Sequence, residues 1–372
     1  MVKKKKVLHI VEAFGGGVFT FMVDLLNATS QYYNITLACS IRNQTPADYK
    51  KYLNDDIKIV ELKNGSRSIN LKSDLKLFKE IKNLVDDEQP DIVHLHSSKA
   101  GFIGRLILSD KKYKILYNPH GFAFLQKDSN KIKRFIYKTF EYIASKKGGI
   151  IVGVSKGEYD EALKLTSRAY LINNGIDINK LPKFEEKNCN KNNIKICTVG
   201  RMCYQKNPEL FNEIAENFPN IEFTWIGEGE LEHMLTAKNI NKTGWMKKDD
   251  VLNLVNKSDI FILTSLWEGL PIALLEAMYY KKICIVSNSI GNRDVINGKN
   301  GFIANNLDDY VNVINSIISS NEDINEIREN AYLDVINKYN MDNTSKKYME
   351  LYDYEDMILE KNISLNTKKE GI

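Results

Sequence analysis

Two carboxylates stand at fixed spacing in Thr264-Ser265-Leu266-Trp267-Glu268-Gly269-Leu270-Pro271-Ile272-Ala273-Leu274-Leu275-Glu276: Glu268 in a polar loop, Glu276 on the helix that follows. Asp259 to Ser265 reads as a buried parallel strand, and Pro271 suits a first helical turn, where its missing N–H costs nothing. A helix N-terminus aimed past a strand's carboxyl end is where an open α/β sheet binds its ligand, and the free N–H groups of Ile272 and Ala273 favour a phosphate there. Glu276 lies one and a half turns into that helix, roughly 7 Å along the axis from Pro271. At that distance the turn can grip a phosphate while Glu276 reaches a ribose. Glu268, with Gly269 and Leu270 beside it, then faces whatever the phosphate carries. A nucleotide-sugar fits such a site.

Other residues bear on the same chemistry. In Gly200-Arg201-Met202-Cys203-Tyr204-Gln205-Lys206-Asn207-Pro208 the glycine ends a strand, two cations follow, and Asn207-Pro208 is placed to cap the next helix. Taken alone, Arg201 and Lys206 read as surface charges; beside the two-glutamate motif they supply what a diphosphate leaving group needs. Gly15-Gly16-Gly17 follows the first strand and precedes a helix over Val18 to Thr29, so it either admits a phosphate or sugar to the backbone or serves a tight turn. A nicotinamide fingerprint is excluded, because Thr20 stands where its third glycine belongs and the second strand ends at Cys39-Ser40 without a ribose-binding acid. His120 comes just after the fifth strand, where an imidazole can donate to a sugar hydroxyl. His94 and His96 share one strand face at a spacing compatible with metal binding, but without a third ligand they read as structural. Trp245-Met246 suits either a cover over a base or core packing. Gly227-Glu228-Gly229 reads as a strand-to-helix turn supporting the same site.

These residues must be positioned by alternating strands and helices. Val7 to Glu12, Ile35 to Ser40, Ile57 to Leu62, Asp91 to His96, Lys114 to Asn118, Ile150 to Val154 and Tyr170 to Asn173 read as strands of a doubly wound half. Ser155-Lys156-Gly157-Glu158 is a capping-box pattern opening the helix after the sixth of them. A polar stretch from Asn179 to Asn193 reads as a linker, after which Ile194 to Val199, Ile221 to Ile226, Asp259 to Thr264 and Ile283 to Ser287 begin a second α/β half. The expectation is two Rossmann-like domains facing a cleft, spanning 1–176 and 177–342, with helices at Glu326–Tyr339 and Asn343–Leu359 and a polar tail over 361–372. With 372 residues and 43% hydrophobic content the chain exceeds one ordinary core.

The N-terminal Lys3 to Lys6 precedes an apolar run that His9 and Glu12 interrupt, so it reads as the first strand and not as a leader. No segment reaches the ~20 apolar residues of a membrane span. The five cysteines, Cys39, Cys189, Cys197, Cys203 and Cys284, are scattered without CxxC spacing, which suggests neither a disulfide framework nor a zinc site and points to the cytoplasm. The net charge of +4 hides an asymmetry: residues 1–175 carry 29 basic against 18 acidic side chains, and 176–372 carry 23 against 30. No nucleic-acid motif accompanies the basic half, so nucleic acid is not an expected partner. An anionic membrane surface is a better match. From Asn130 to Lys147, Ile132, Phe135, Ile136, Phe140 and Ile143 share one helical face while Lys131, Arg134 and Lys138 lie elsewhere. Such a stripe can pack on its own domain, meet a membrane, or do both.

The Glu268–Glu276 motif, the Gly200–Pro208 loop, the early triglycine and Asn118-Pro119-His120-Gly121-Phe122 together resemble glycosyltransferase family 4 over nearly the whole chain. Asp91-Ile92-Val93-His94-Leu95-His96-Ser97-Ser98-Lys99-Ala100-Gly101 and Gly291-Asn292-Arg293-Asp294-Val295-Ile296 resemble its bacterial surface-polysaccharide branch. The resemblance implies a GT-B fold, with the nucleotide-sugar on the C-terminal domain, the acceptor on the N-terminal one, and a last helix crossing back to the first domain. It implies a retaining, metal-independent transferase with His120, Glu268, Arg201 and Lys206 catalytic and no cofactor. The two cations would neutralise the departing diphosphate, and the sequence has no Asp-x-Asp triplet to hold a metal instead. The implied donor is a UDP-sugar carrying a hexose or N-acetylhexosamine. The implied acceptor is a lipid-linked polysaccharide such as O antigen or capsule at the inner face of the plasma membrane. Two other readings stay open: a binding protein that keeps the nucleotide-sugar site without turnover, and a UDP-sugar epimerase of similar fold.

Overall fold

A computed structural model describes residues 3–65, 71–182, 193–319 and 324–354. They form two compact units, one of residues 1–125, 129–174 and the C-terminal segment from Met341, the other of residues 126–128 and 175–340. In the first unit the chain runs β1 (Lys6–Phe14), α1 (Gly16–Ser30), β2 (Asn34–Ile41), β3 (Lys58–Glu61), α2 (Leu71–Glu88), β4 (Ile92–His96), α3 (Ser98–Ile107), β5 (Lys114–Asn118), α4 (Lys131–Lys147), β6 (Ile150–Gly153), α5 (Lys156–Leu163) and β7 (Ala169–Leu171). The sheet is parallel in the order β3-β2-β1-β4-β5-β6-β7, with the sense of strand addition reversing between β1 and β4. Its central strands are buried along their length, as both-face burial under crossover helices requires.

The second unit runs β8 (Lys195–Val199), α6 (Pro208–Glu216), β9 (Glu222–Ile226), β10 (Ile240–Lys242), α7 (Lys248–Lys257), β11 (Ile260–Leu263), α8 (Ile272–Tyr279), β12 (Ile283–Ser287), α9 (Asn292–Val295), β13 (Phe302–Ala304), α10 (Leu307–Ser319) and α11 (Asn325–Lys338). Its parallel sheet is ordered β10-β9-β8-β11-β12-β13, with the reversal between β8 and β11. The last helix, α12 (Met341–Asp353), packs on α1 of the first unit. Its Tyr348 and Tyr352 lie buried against the histidines of the first sheet.

Several expectations need correction. The edge strands β10 and β13 are three residues each, too short to show a strand period in the sequence. Helix α1 starts at Gly16, with Gly15 as N-cap, so two of the three glycines lie in its first turn. Ser155 does accept from Glu158 N–H, but the Glu158 carboxylate takes the N–H groups of Val154 (2.8 Å) and Gly121 (2.6 Å), pinning the loop that follows β5. Gly227 and Gly229 lead into a 3₁₀ turn at Glu232–Met234; their role is close approach, since a Cβ at Gly227 would stand 2.3 Å from Gly200 O. Residues 183–192 of the expected linker, and the tail over 361–372, lie outside the described residues.

Candidate active site

The strand reversal in the second unit places the loops after β8 and β11 side by side. Thr264 Oγ1 donates to the carbonyls of Lys206 (2.7 Å) and Asn207 (3.1 Å), and Leu266 N–H donates to Gln205 O (2.8 Å). So joined, the two loops bring Lys206 Nζ to 2.6 Å from Glu268 Oε1, while Gln205 Nε2 donates to Trp267 O (2.9 Å) and reaches Glu268 Oε2 (3.4 Å). Glu268 is only 8% exposed. Its loop is backed by Gly291, where a Cβ would come within 2.4 Å of Gly269 O. The cation and the carboxylate that sequence reasoning assigned separately are thus one ion pair across two strand ends. Arg201 follows Gly200 on the β8 loop, partly exposed. Asn207 does not cap α6 with its side chain; it takes a left-handed conformation (φ 53°) ahead of Pro208 at the first helical turn.

Helix α8 begins after Pro271 with no side-chain cap, which leaves the first-turn N–H groups of Ile272 and Ala273 open. Glu276, 2% exposed, is ion-paired with Lys248 at the start of α7, a partner the sequence reading missed. The signal was weak: one lysine among several, 28 residues upstream. Behind the same helix start, Ser265 Oγ and Asn292 Oδ1 are buried without a partner among the described residues, while Asn292 Nδ2 donates to Ser287 Oγ (3.0 Å). Trp245 is 57% exposed, which removes the core-packing reading, and Met246 is partly buried beside it.

In the first unit, Gly15 packs its backbone against the loop after β2, where a Cβ would sit 3.1 Å from Gln44 Cβ, and Gly16 has φ 56° with open space around its Cβ position. Glu12, at the end of β1, pairs with Arg42. His120 has φ 53° and is followed by Gly121 (φ 97°), the residue whose N–H is held by buried Glu158. His120 Nε2 lies 3.0 Å from His96 Nδ1, and His96 Nε2 lies 3.1 Å from His9 Nδ1. The third imidazole expected to be absent beside His94 and His96 is therefore present in His9, and the three come close enough for a metal. Both nitrogens of His94 are engaged, however: Asn118 spends its amide N–H groups on Val152 O and Tyr348 Oη, so its oxygen accepts from His94 Nε2–H (2.6 Å), and His94 Nδ1 accepts from Tyr352 O–H (2.8 Å). Burial pushes all four histidines down, His94 to about 4 and His120 to about 3, with His94 adding to the shift at His9, His96 and His120. They are neutral imidazoles at physiological pH.

Helix α4 turns opposite to the packed orientation considered above. Ile132 and Phe135 are 72% and 73% exposed, and Ile136, Phe140 and Ile143 are also open to solvent. The buried side carries Glu141, Ala144 and Ser145. Arg134 and Lys138 contact the body of the unit, Arg134 donating to Phe124 O (2.9 Å) and Lys138 standing over the Phe124 ring, while Lys131 makes no such contact among the described residues.

Two family models match, Glycosyl transferases group 1 over residues 179–334 and Glycosyltransferase Family 4 over residues 15–180. A UDP-Gal:alpha-D-GlcNAc-diphosphoundecaprenol alpha-1,3-galactosyltransferase of Escherichia coli is 30% identical over 363 residues, covering 89% of this chain and 91% of that protein. The capsular polysaccharide biosynthesis glycosyltransferase CapM of Staphylococcus aureus is 26% identical, covering 69% of this chain and 73% of its own length. Among solved structures, Anabaena HepE in complex with UDP and glucose superposes with a TM-score of 0.76 at 15% identity, covering 94% of this chain and all of that one.

Proposed function

The chain belongs to glycosyltransferase family 4, in its bacterial surface-polysaccharide branch, and from that premise we propose that it moves a hexose or N-acetylhexosamine from a UDP-sugar, with retention, to a lipid-linked glycan such as an O-antigen or capsule precursor. The observation that carries the reading is the Lys206–Glu268 pair set across two strand ends beside an uncapped helix N-terminus. Free N–H groups and a lysine suit the diphosphate, the buried Glu268 suits sugar hydroxyls, and Glu276 suits the ribose. When donor binds, Lys206 exchanges part of its contact with Glu268 for a phosphate oxygen, leaving Glu268 an acceptor for the sugar. Arg201 and Lys206 stabilise the charge that grows on the leaving diphosphate, the work a metal ion does elsewhere, so none is required in this reading. Trp245 covers the base, and His120 acts on the reacting sugar. The undecaprenol-linked substrate in the galactosyltransferase's name and the UDP in the HepE complex support the acceptor and donor classes.

The exposed apolar ridge of α4 supports peripheral attachment to an anionic membrane, where a cytoplasmic transferase meets a lipid-linked acceptor. Ile132 and Phe135 project from it, with Lys131, Lys133, Lys146 and Lys147 on the same helix. No helix among the described residues is long and apolar enough to cross a bilayer. Incubation with a panel of UDP-, GDP- and dTDP-sugars, scored for slow hydrolysis, tests the donor assignment without an acceptor. Release of UDP from at least one UDP-hexose or UDP-N-acetylhexosamine is expected. Binding without turnover would favour a non-catalytic protein, and inversion at C2 an epimerase.

A further inference from the structure

We propose that His96 and His9 are positioning residues for His120: three imidazoles joined edge to edge fix its ring plane and the location of its proton, and so decide whether its open nitrogen meets the substrate as donor or acceptor. The inference rests on the transferase reading for what the substrate is.

The geometry begins in the sheet. Strands β1, β4 and β5 are neighbours, with His9 in register with His94 and His96 in register with Asn118, so all four side chains share one face. Helix α12 covers that face with Tyr348 and Tyr352. The His9–His96 and His96–His120 rings lie within 15° of parallel, but their centroids are 5.4 and 5.3 Å apart. That separation is an N···N hydrogen bond plus a ring radius at each end, so the rings meet at their edges and are not stacked. His120 is held to the end of this row by its left-handed backbone and by the Gly121 N–H bond to Glu158.

Each N···N contact needs one proton between two rings, and each neutral ring has one proton to give. The three must therefore all point the same way. Either every proton lies toward the outer side, making His120 Nδ1 a donor and leaving His9 Nε2 a bare lone pair, or every proton lies inward with both ends reversed. His9 Nε2 is fully buried and has no partner among the described residues. An orphan nitrogen in the core is a cost that a phenylalanine at this position would avoid, and the bond from the other ring nitrogen, Nδ1, to His96 is what a histidine gains here. An added proton would place a cation in a wholly buried row, which desolvation opposes at every member. The row thus ties the three tautomers to one another, so that the proton on His120 is placed together with those of His96 and His9, and it does not store charge. The metal alternative competes for the same atoms, since an ion held by His9, His94 and His96 would take lone pairs that these hydrogen bonds use.

The test is long-range proton–nitrogen correlation NMR on the full chain labelled with ¹⁵N-histidine, alongside steady-state hydrolysis of the best UDP-sugar. In the wild type, His120 should show one protonated and one bare ring nitrogen, unchanged from pH 6 to 8. His96→Phe should draw the two signals toward their mean and lower kcat by about tenfold to a hundredfold, as a misplaced group does, with donor KM within about twofold. His96→Gln, whose amide carries one donor and one acceptor, should restore the separation and most of kcat. His9→Phe should blur the His120 signals in the same direction, because His96 is then free to take either tautomer. Averaged His120 signals in the wild type, titration of His120 between pH 6 and 8, a fixed tautomer surviving in His96→Phe, or stoichiometric zinc in the purified chain would each overturn the proposal. Unchanged signals in His9→Phe would remove His9 from it. If no donor is turned over, the functional reading fails while the spectra still decide the row.

Discussion

Lowering the pH should unfold the first unit well before the second. His9, His94, His96 and His120 are buried neutral in the first unit with their pKa values depressed below the ordinary 6.5, whereas the fifth histidine, His233, belongs to the second unit. A depressed pKa means that the unfolded chain binds the proton first. The stabilisation is therefore complete above about pH 6.5 and is lost as pH falls from there toward the folded values, about 4 for His94 and about 3 for His120. Each such histidine contributes a limiting slope of about 1.4 kcal/mol per pH unit. For four of them, the loss between pH 7.5 and 5.5 is roughly 5 kcal/mol, comparable to the whole stability of many domains. Carboxylates of ordinary pKa contribute little in that window. All three tryptophans, Trp225, Trp245 and Trp267, lie in the second unit, so urea unfolding followed by tryptophan fluorescence reads that unit, and peptide-resolved hydrogen exchange over β1 and β4 reads the first. The expected result is a steep loss of protection in β1 and β4 below pH 6.5, with a smaller shift of the tryptophan transition. Protection in β1 and β4 that is flat between pH 7.5 and 5.5 would mean that these imidazoles are charged or solvated in the native state.

The roles of the two glutamates can be separated. Glu276→Ala should weaken UDP binding about ten- to a hundredfold, the worth of one charged hydrogen bond at ~1.5 to 3 kcal/mol, while Glu268→Ala should lower kcat more than UDP affinity; calorimetric titration giving wild-type affinity for Glu276→Ala would sink the ribose assignment. Arg201→Ala or Lys206→Ala should cut turnover by two orders of magnitude or more, about 3 kcal/mol of transition-state stabilisation. EDTA should leave wild-type turnover intact, and activity lost to chelation and restored by magnesium or manganese would refute the reading that these side chains stand in for a metal. On membranes, the chain should co-sediment with anionic but not zwitterionic vesicles, with electrostatic attraction of about 1 kcal/mol per basic residue near the surface. Ile132→Ser with Phe135→Ser should abolish that binding while sparing donor hydrolysis, and retention by the double variant would leave α4 without a role at the membrane.

How much of this was legible in the sequence depended on whether a feature is local. The central strands could be read from their apolar runs, while β10 and β13 could not, because three residues at a sheet edge show no period. Glu268 and Lys206 were both identified, but their pairing across 62 residues follows from β8 and β11 lying side by side, which spacing does not encode. The row from His9 to His120 depends on strand order in the same way. Helix α4 shows the limit most clearly: amphipathicity reveals that a stripe exists and is blind to which way it turns. Here the direction is set by Glu141, whose carboxylate meets the buried Arg105 guanidinium at 2.5 Å and Tyr117 Oη at 2.7 Å. Breaking a buried pair leaves a charge uncompensated, typically at about 3 to 5 kcal/mol, so the stripe can turn inward only by giving up that pair, the Tyr117 bond and the burial of Ala144 and Ser145 together. Amphipathicity carries no record of these polar contacts on the opposite face, which is already committed to the body of the unit and leaves Ile132 and Phe135 outward.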